Sequence, residues 1–213
     1  MEPNLLTCAL VAASDFNGRH FAEQRSAGAF GAVIAVDGGY AHVEGAGCAP
    51  DAVIGDFDSL GYVPEGDAVI EHPVHKDASD LELALEYAAN RGFTRAIVYG
   101  ALGGRLDHSV ANLQMCARFA EQGMDVQIIG VDCIVDILVG PGTLALPTCE
   151  QGTVSVFSAV DESRGVTERG MEYPLEDATL TNRTTLGLSN ELIGQPASVS
   201  VEQGTLFIFQ AMQ

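Results

Sequence analysis

Short apolar runs recur along the first 130 residues, and each stops at glycine, aspartate or a small polar residue. Thr7–Ala13, Ala32–Val36, Ala52–Ile54, Ala96–Tyr99 and Val126–Ile129 read as strands, with Asp67–Glu71 a further short one. Between them, Phe21–Ala27, Gly39–Gly45 and Asp107–Gln122 read as helices. Ser79-Asp80-Leu81-Glu82 has the S-x-x-E capping pattern and opens another helix through about Asn90. Gly92 and Gly123 stand where the last two helices stop. Strands alternating with helices predict an α/β N-terminal domain with a mostly parallel sheet over residues 1–131.

The pattern changes after about Asp132. Val135–Val139, Thr143–Leu146, Thr153–Ser158, Ala178–Thr181, Ala197–Val201 and Thr205–Gln210 are short β-like runs separated by Gly, Pro, Asn or Asp. No useful helical period appears there, so residues 132–213 are expected to form an all-β sandwich domain.

Five polar motifs punctuate this pattern: Asp37-Gly38-Gly39, Gly55-Asp56-Phe57-Asp58-Ser59, Lys76-Asp77-Ala78-Ser79-Asp80, Gly103-Gly104-Arg105-Leu106-Asp107-His108 and Leu188-Ser189-Asn190-Glu191. Strand ends of an open α/β sheet form its ligand crevice. Carboxylates gathered there repel one another unless a cation lies between them, most simply Mg²⁺ carrying a polyphosphate.

Each motif has a local reading. In an extended segment Asp56 and Asp58 would point to one side of the chain and Phe57 to the other, a suitable pair of hard-cation ligands. Asp77 and Asp80 stand three apart at a helix start, where Asp80 also offsets the macrodipole and Ser79 serves as N-cap. Lys76, the sole lysine, would contact phosphate. Glycines at 103 and 104, between strand and helix, allow backbone N–H groups to approach phosphate, and Arg105 could clamp its oxygens. Asp107 could cap the helix or bind metal; His108 could be a general base or a structural residue. Ser189 and Asn190 would offer neutral hydrogen bonds to an organic acceptor.

Composition narrows the partners. The net charge of −19 leaves no basic stripe for a nucleic acid. Five scattered cysteines without a C-x-x-C pair suit buried thiols in a reducing compartment. Met1-Glu2-Pro3 lacks the basic start of a secretion signal, and no apolar run reaches membrane-spanning length. A cytoplasmic protein without a membrane partner is expected.

Taken in order, the motifs resemble those of the thiamine pyrophosphokinase (thiamine diphosphokinase) family. The resemblance is carried by Asp37-Gly38-Gly39, Gly55-Asp56-Phe57-Asp58-Ser59, Asp77-x-x-Asp80, Gly103-Gly104-Arg105-x-Asp107-His108 and Ser189-Asn190-Glu191, and by Gly170-Met171-Glu172-Tyr173-Pro174-Leu175. It implies Mg²⁺-dependent transfer of pyrophosphate from ATP to the thiamine hydroxyl, releasing AMP, by a homodimer with thiamine sites at the subunit interface. Carried over by motif, Asp56, Asp58, Asp77 and Asp80 would hold metal and orient the reacting groups, with Asp77 or Asp80 the candidate base. Asp37, Gly38, Lys76, Gly103, Gly104, Arg105, Asp107 and His108 would frame ATP. Ser189, Asn190 and Asp80 would meet thiamine. The chain departs from the family in Ser14-Asp15-Phe16-Asn17-Gly18 after the first strand and in Ser79 for threonine. It also has no tryptophan to stack on the thiamine ring.

Overall fold

Residues 6–57, 60–62, 64, 69–71 and 78–212 are described by a computed structural model. The chain separates into two compact units, Met1–Met115 with Gly123–Val131, and Cys116–Gln122 with Asp132–Gln213.

In the first unit the strands are β1 (Thr7–Val11), β2 (Ala32–Val36), β3 (Ala52–Gly55), β4 (Val69–Glu71), β5 (Arg95–Tyr99) and β6 (Asp125–Ile129). They lie in the order β6-β5-β1-β2-β3-β4, and every pair among them is parallel. β1 is buried throughout, as a central parallel strand covered on both faces must be. The helices are α1 (Gly18–Ser26), α2 (Gly39–Gly45), α3 (Asp80–Asn90) and α4 (Leu106–Glu121), the last belonging to this unit only as far as Met115.

Helix starts follow their caps. Asn17 Oδ1 accepts from the His20 N–H, so α1 opens three residues before the apolar period at Phe21 predicts. Ser79 Oγ accepts from the Glu82 N–H as the capping pattern requires. Gly92 then ends α3 with a φ of 84°.

The second unit contains two antiparallel sheets. One runs β12 (Asn190–Glu191), β9 (Thr153–Ser158), β14 (Thr205–Ala211), β7 (Cys133–Val139); the other runs β11 (Leu175–Thr181), β10 (Glu162–Arg169), β13 (Ala197–Val201), β8 (Gly142–Leu146). Val154, Val156, Leu206 and Ile208 from the first sheet pack with Val166, Leu180, Val199 and Val201 from the second, which makes the β-sandwich core.

β10 is absent from the apolar pattern because its sequence, Glu-Ser-Arg-Gly-Val-Thr-Glu-Arg, is mostly polar. Its fully buried side chains are Ser163, Val166 and Glu168, two of them polar. Register shifts flank Val166, and Gly165 has a φ of 67° there, so the strand is also bulged.

Candidate active site

β2 lies on one side of β1 and β5 on the other, so the loops that leave β1 and β5 diverge at a topological switch point. Ala12 N donates to Tyr99 O and Ser14 N to Gly100 O, both at 2.8 Å, which zips the two loops together beyond the strands. Ser14 Oγ donates to Gly103 O at 2.7 Å, and Ser109 Oγ from α4 reaches the same oxygen at 3.3 Å. Asn112 Nδ2 donates to Ala101 O at 2.8 Å. The glycine loop is therefore held by side chains from both of its neighbours.

Glycine is needed here for close approach. A Cβ at Gly39 would overlap the Val11 carbonyl, and one at Gly100 the Ala12 carbonyl. A Cβ at Gly103 would overlap the Asp15 carboxylate, and one at Gly104 would come within 3.2 Å of Ser14 Oγ. Gly103 and Gly104 also have φ values of 93° and 56°, in the left-handed region where other residues are strained. Ser14 and Asp15 thus belong to this loop cluster, although in the sequence they stand out only as a departure from the family's pattern. The signal was the apolar run ending at a polar turn, the same mark that picked out Asp37 and Asp56.

Asp37 directly follows β2 with a φ of 47°, its N–H donating to Ile54 O at 2.8 Å. It is 9% exposed, and its Oδ1 is buried with no hydrogen-bond partner among the described residues. Gly38 follows and Gly39 opens α2. Asp56 is half-buried immediately after β3. Phe57 does not continue the extended chain expected over 56–58. Its φ is 60° and its ring is buried, and its carbonyl accepts from the N–H groups of Leu60 and Gly61. Asp58, Lys76 and Asp77 lie outside the described residues. Asp80 sits in the first turn of α3.

Arg105, Asp107 and His108 are exposed at the start of α4. Arg105 Nε and Nη2 donate to the two carboxylate oxygens of Asp107 at 3.2 and 2.6 Å. That fork holds the Asp107 carboxyl down to about 2. Asp107 lies inside the first turn with its carboxylate on Arg105, and this pairing orients the guanidinium.

In the second unit, Ser189 is exposed with a φ of 60°, and its N–H donates to Ser155 Oγ at 3.0 Å. Asn190 is 3% exposed. Its Nδ2 donates to Glu168 Oε2 at 2.6 Å and to Tyr173 O at 2.8 Å, while its Oδ1 accepts from Tyr173 N and Glu191 N. Both donors and both lone pairs of the amide are thus engaged within the fold. Burial raises the Glu168 carboxyl above its ordinary value, with the Asn190 bond acting the other way.

The profile of "Thiamin pyrophosphokinase, catalytic domain" matches residues 28–128, and that of "Thiamin pyrophosphokinase, vitamin B1 binding domain" matches residues 143–206. Thiamine pyrophosphokinase of Bacillus subtilis is 27% identical over 185 residues, spanning 84% of this chain and 86% of its own. The chain belongs to the thiamine pyrophosphokinase family. Membership makes it an enzyme, a thiamine diphosphokinase that forms thiamine diphosphate by pyrophosphate transfer.

The fold agrees with that of solved thiamine pyrophosphokinases. The Bacillus subtilis structure superposes with a TM-score of 0.82 at 24% identity, covering 97% of this chain and 99% of that one. The yeast structure gives 0.76 at 10% identity, covering 100% and 88%. The catalytic-domain match lies in the parallel-sheet unit apart from Cys116–Gln122, and the vitamin B1 binding match lies in the sandwich unit.

Two of the cysteines are inert by their surroundings. All five are free, and burial pushes the thiols of Cys8 and Cys116 up to about 12. Among the described residues, no helix is long and apolar enough to cross a membrane.

Proposed function

We propose that the protein transfers the pyrophosphoryl group of ATP to the hydroxyl of thiamine with the aid of Mg²⁺, in the cytoplasm and as a homodimer. The observation that carries the nucleotide half is the set of loops at the β1/β5 switch point, with glycines packed against neighbouring loops and Asp37 and Asp56 at adjacent strand ends. Residues 1–131 would take ATP, and residues 132–213 thiamine and the dimer contact.

Asp56 and Asp80, together with Asp58 and Asp77, are carboxylates of the kind that bind a hard cation. The Oδ1 of Asp37, buried and without a hydrogen-bond partner among the described residues, adds an oxygen that a cation or its water would satisfy. Bound Mg²⁺ would neutralise charge on the polyphosphate. Gly103, Gly104 and the oriented Arg105 would hold phosphate oxygens, with Gly38, Lys76 and His108 beside them. The thiamine hydroxyl oxygen bonds to the β-phosphorus of ATP as the bond from that phosphorus to the α-phosphate oxygen breaks. AMP leaves, and the hydroxyl proton passes to Asp77 or Asp80. Ser189 would meet thiamine, with Asp80 near its hydroxyl. Asn190, its amide engaged, would shape that contact. Positioning and electrostatic stabilisation supply most of the rate.

Incubation with MgATP and thiamine, with the products identified, tests this reading. The expected products are thiamine diphosphate and AMP, formed only when thiamine is present. AMP or ADP release at equal rates without thiamine would identify a nucleotide hydrolase instead.

A further inference from the structure

Glu168 is a carboxyl residue in the middle of β10 with no exposed surface. One oxygen accepts from Asn190, while Oε1 is buried with no hydrogen-bond partner among the described residues. That oxygen lies near Gly187, where an added Cβ would come within 3.2 Å of it. A half-satisfied acid inside a sandwich costs stability that an apolar residue of similar volume would not. Stability of the fold alone does not account for it.

What the acid holds is specific. The Asn190 amide clamps Tyr173 through both its N–H and its carbonyl, and also binds the N–H of Glu191. Glu172 N donates to Glu191 O at 3.0 Å, and Met171 bridges to Leu192. Two chain segments, 171–173 and 190–192, are therefore locked side by side by one buried amide. The amide cannot rotate without leaving the Glu168 carboxyl with no partner among the described residues. At the surface end of this lock stand Ser189, exposed and left-handed at φ 60°, and Tyr173, 62% exposed.

We infer that Glu168 is a positioning residue for acceptor recognition: by fixing the Asn190 amide it sets the Ser189 hydroxyl and the Tyr173 ring in the geometry that receives thiamine. This rests on the reading above, in which the Ser189 loop meets thiamine. Glu168 touches no substrate itself. Its role is to make the loop rigid before the ligand arrives, so that little ordering is left for binding to drive.

Glu168→Gln keeps an oxygen that accepts from Asn190, whereas Glu168→Leu removes it and Glu168→Asp withdraws it by one methylene. The experiment measures KM for thiamine, KM for ATP and kcat in the full-length wild type and all three variants, with thermal unfolding as the check on folding. Glu168→Leu is expected to raise the thiamine KM about tenfold while the ATP KM stays within about twofold; Glu168→Asp should move in the same direction, and Glu168→Gln should restore wild-type values. If Glu168→Leu does not fold, Glu168→Asp reads the same quantity. Activity falling only in step with the folded fraction, with both KM values unchanged, would overturn the positioning role. Loss of thiamine diphosphate formation by the wild type itself would overturn the functional reading, and this inference with it.

Discussion

The loops at the ends of β1, β2, β3 and β5 and the polar lock beneath β12 solve the same problem in opposite ways. Both fix a few polar groups at a surface. The strand-end loops do so by removing side chains: glycines at 39, 100 and 103 let backbone and carboxylate groups pack where a Cβ would collide. The sandwich does so by burying polar side chains, with Glu168 and Asn190 inside the fold and only Ser189 outside. Among the described residues each region leaves one buried oxygen without a hydrogen-bond partner, Asp37 Oδ1 in the first and Glu168 Oε1 in the second. The first device needs backbone freedom, and the second gains rigidity. A substitution should therefore act differently in the two regions.

The largest effect is expected at Asp56. Asp56→Asn keeps the side-chain shape but removes an anionic oxygen, so turnover should fall on the order of 10²-fold or more at near-unchanged melting temperature. Steady-state kinetics at limiting Mg²⁺ check this; wild-type rates there would remove Asp56 from the metal set. Leu206→Ala, in the sandwich core, should show the reverse, costing about 2–5 kcal/mol in urea unfolding while the folded protein turns over normally. Gly100→Ala stands between the two. It combines a collision with the Ala12 carbonyl and a φ of 64°, so it should lower stability by about 1–3 kcal/mol and weaken ATP binding as the β1 and β5 loops separate. Unchanged ATP affinity in that variant would dissociate the loop packing from nucleotide binding.

The same contrast explains what was legible in the sequence. Strand-end motifs announce themselves because an apolar run stops abruptly at Asp or Gly, so β1, β2, β3 and β5 and their loops were readable. The alternation of strands and helices likewise showed the parallel sheet, and the short β-like runs showed the sandwich. β10 was not readable, because Ser163 and Glu168 take core positions that a period-two pattern assigns to apolar residues. Asn190 read as a surface contact for the same reason: an asparagine in a polar turn gives no sign that its partner is a buried glutamate. The expected straight run through Phe57 gives way to a turn whose carbonyl takes the N–H groups of Leu60 and Gly61, which the spacing of the aspartates does not announce. Asp15 was legible only as part of a departure from the family's pattern, since its relation to Gly103 joins two loops far apart in the chain.

The smallest effect expected is a pH dependence. Burial raises the Glu168 carboxyl, so the folded chain holds that proton more tightly than the unfolded chain does. The stability it contributes is fully present below the unfolded carboxyl value and is lost as pH rises through the folded one. Glu168→Gln has no such proton to lose. Its stability relative to wild type should therefore increase from acid to neutral pH, as measured by thermal unfolding at several pH values. A difference that does not change with pH would mean that Glu168 titrates alike in both states.

In the proposed function the labour is divided: nucleotide would be taken at the strand-end loops and acceptor at the Ser189 loop. The most direct measurement is the KM of each substrate in Arg105→Ala and Ser189→Ala. The account predicts that Arg105→Ala raises the ATP KM about tenfold and leaves the thiamine KM within about twofold, and that Ser189→Ala does the converse. Both substitutions shifting both KM values alike, or Ser189→Ala shifting only that of ATP, would contradict it.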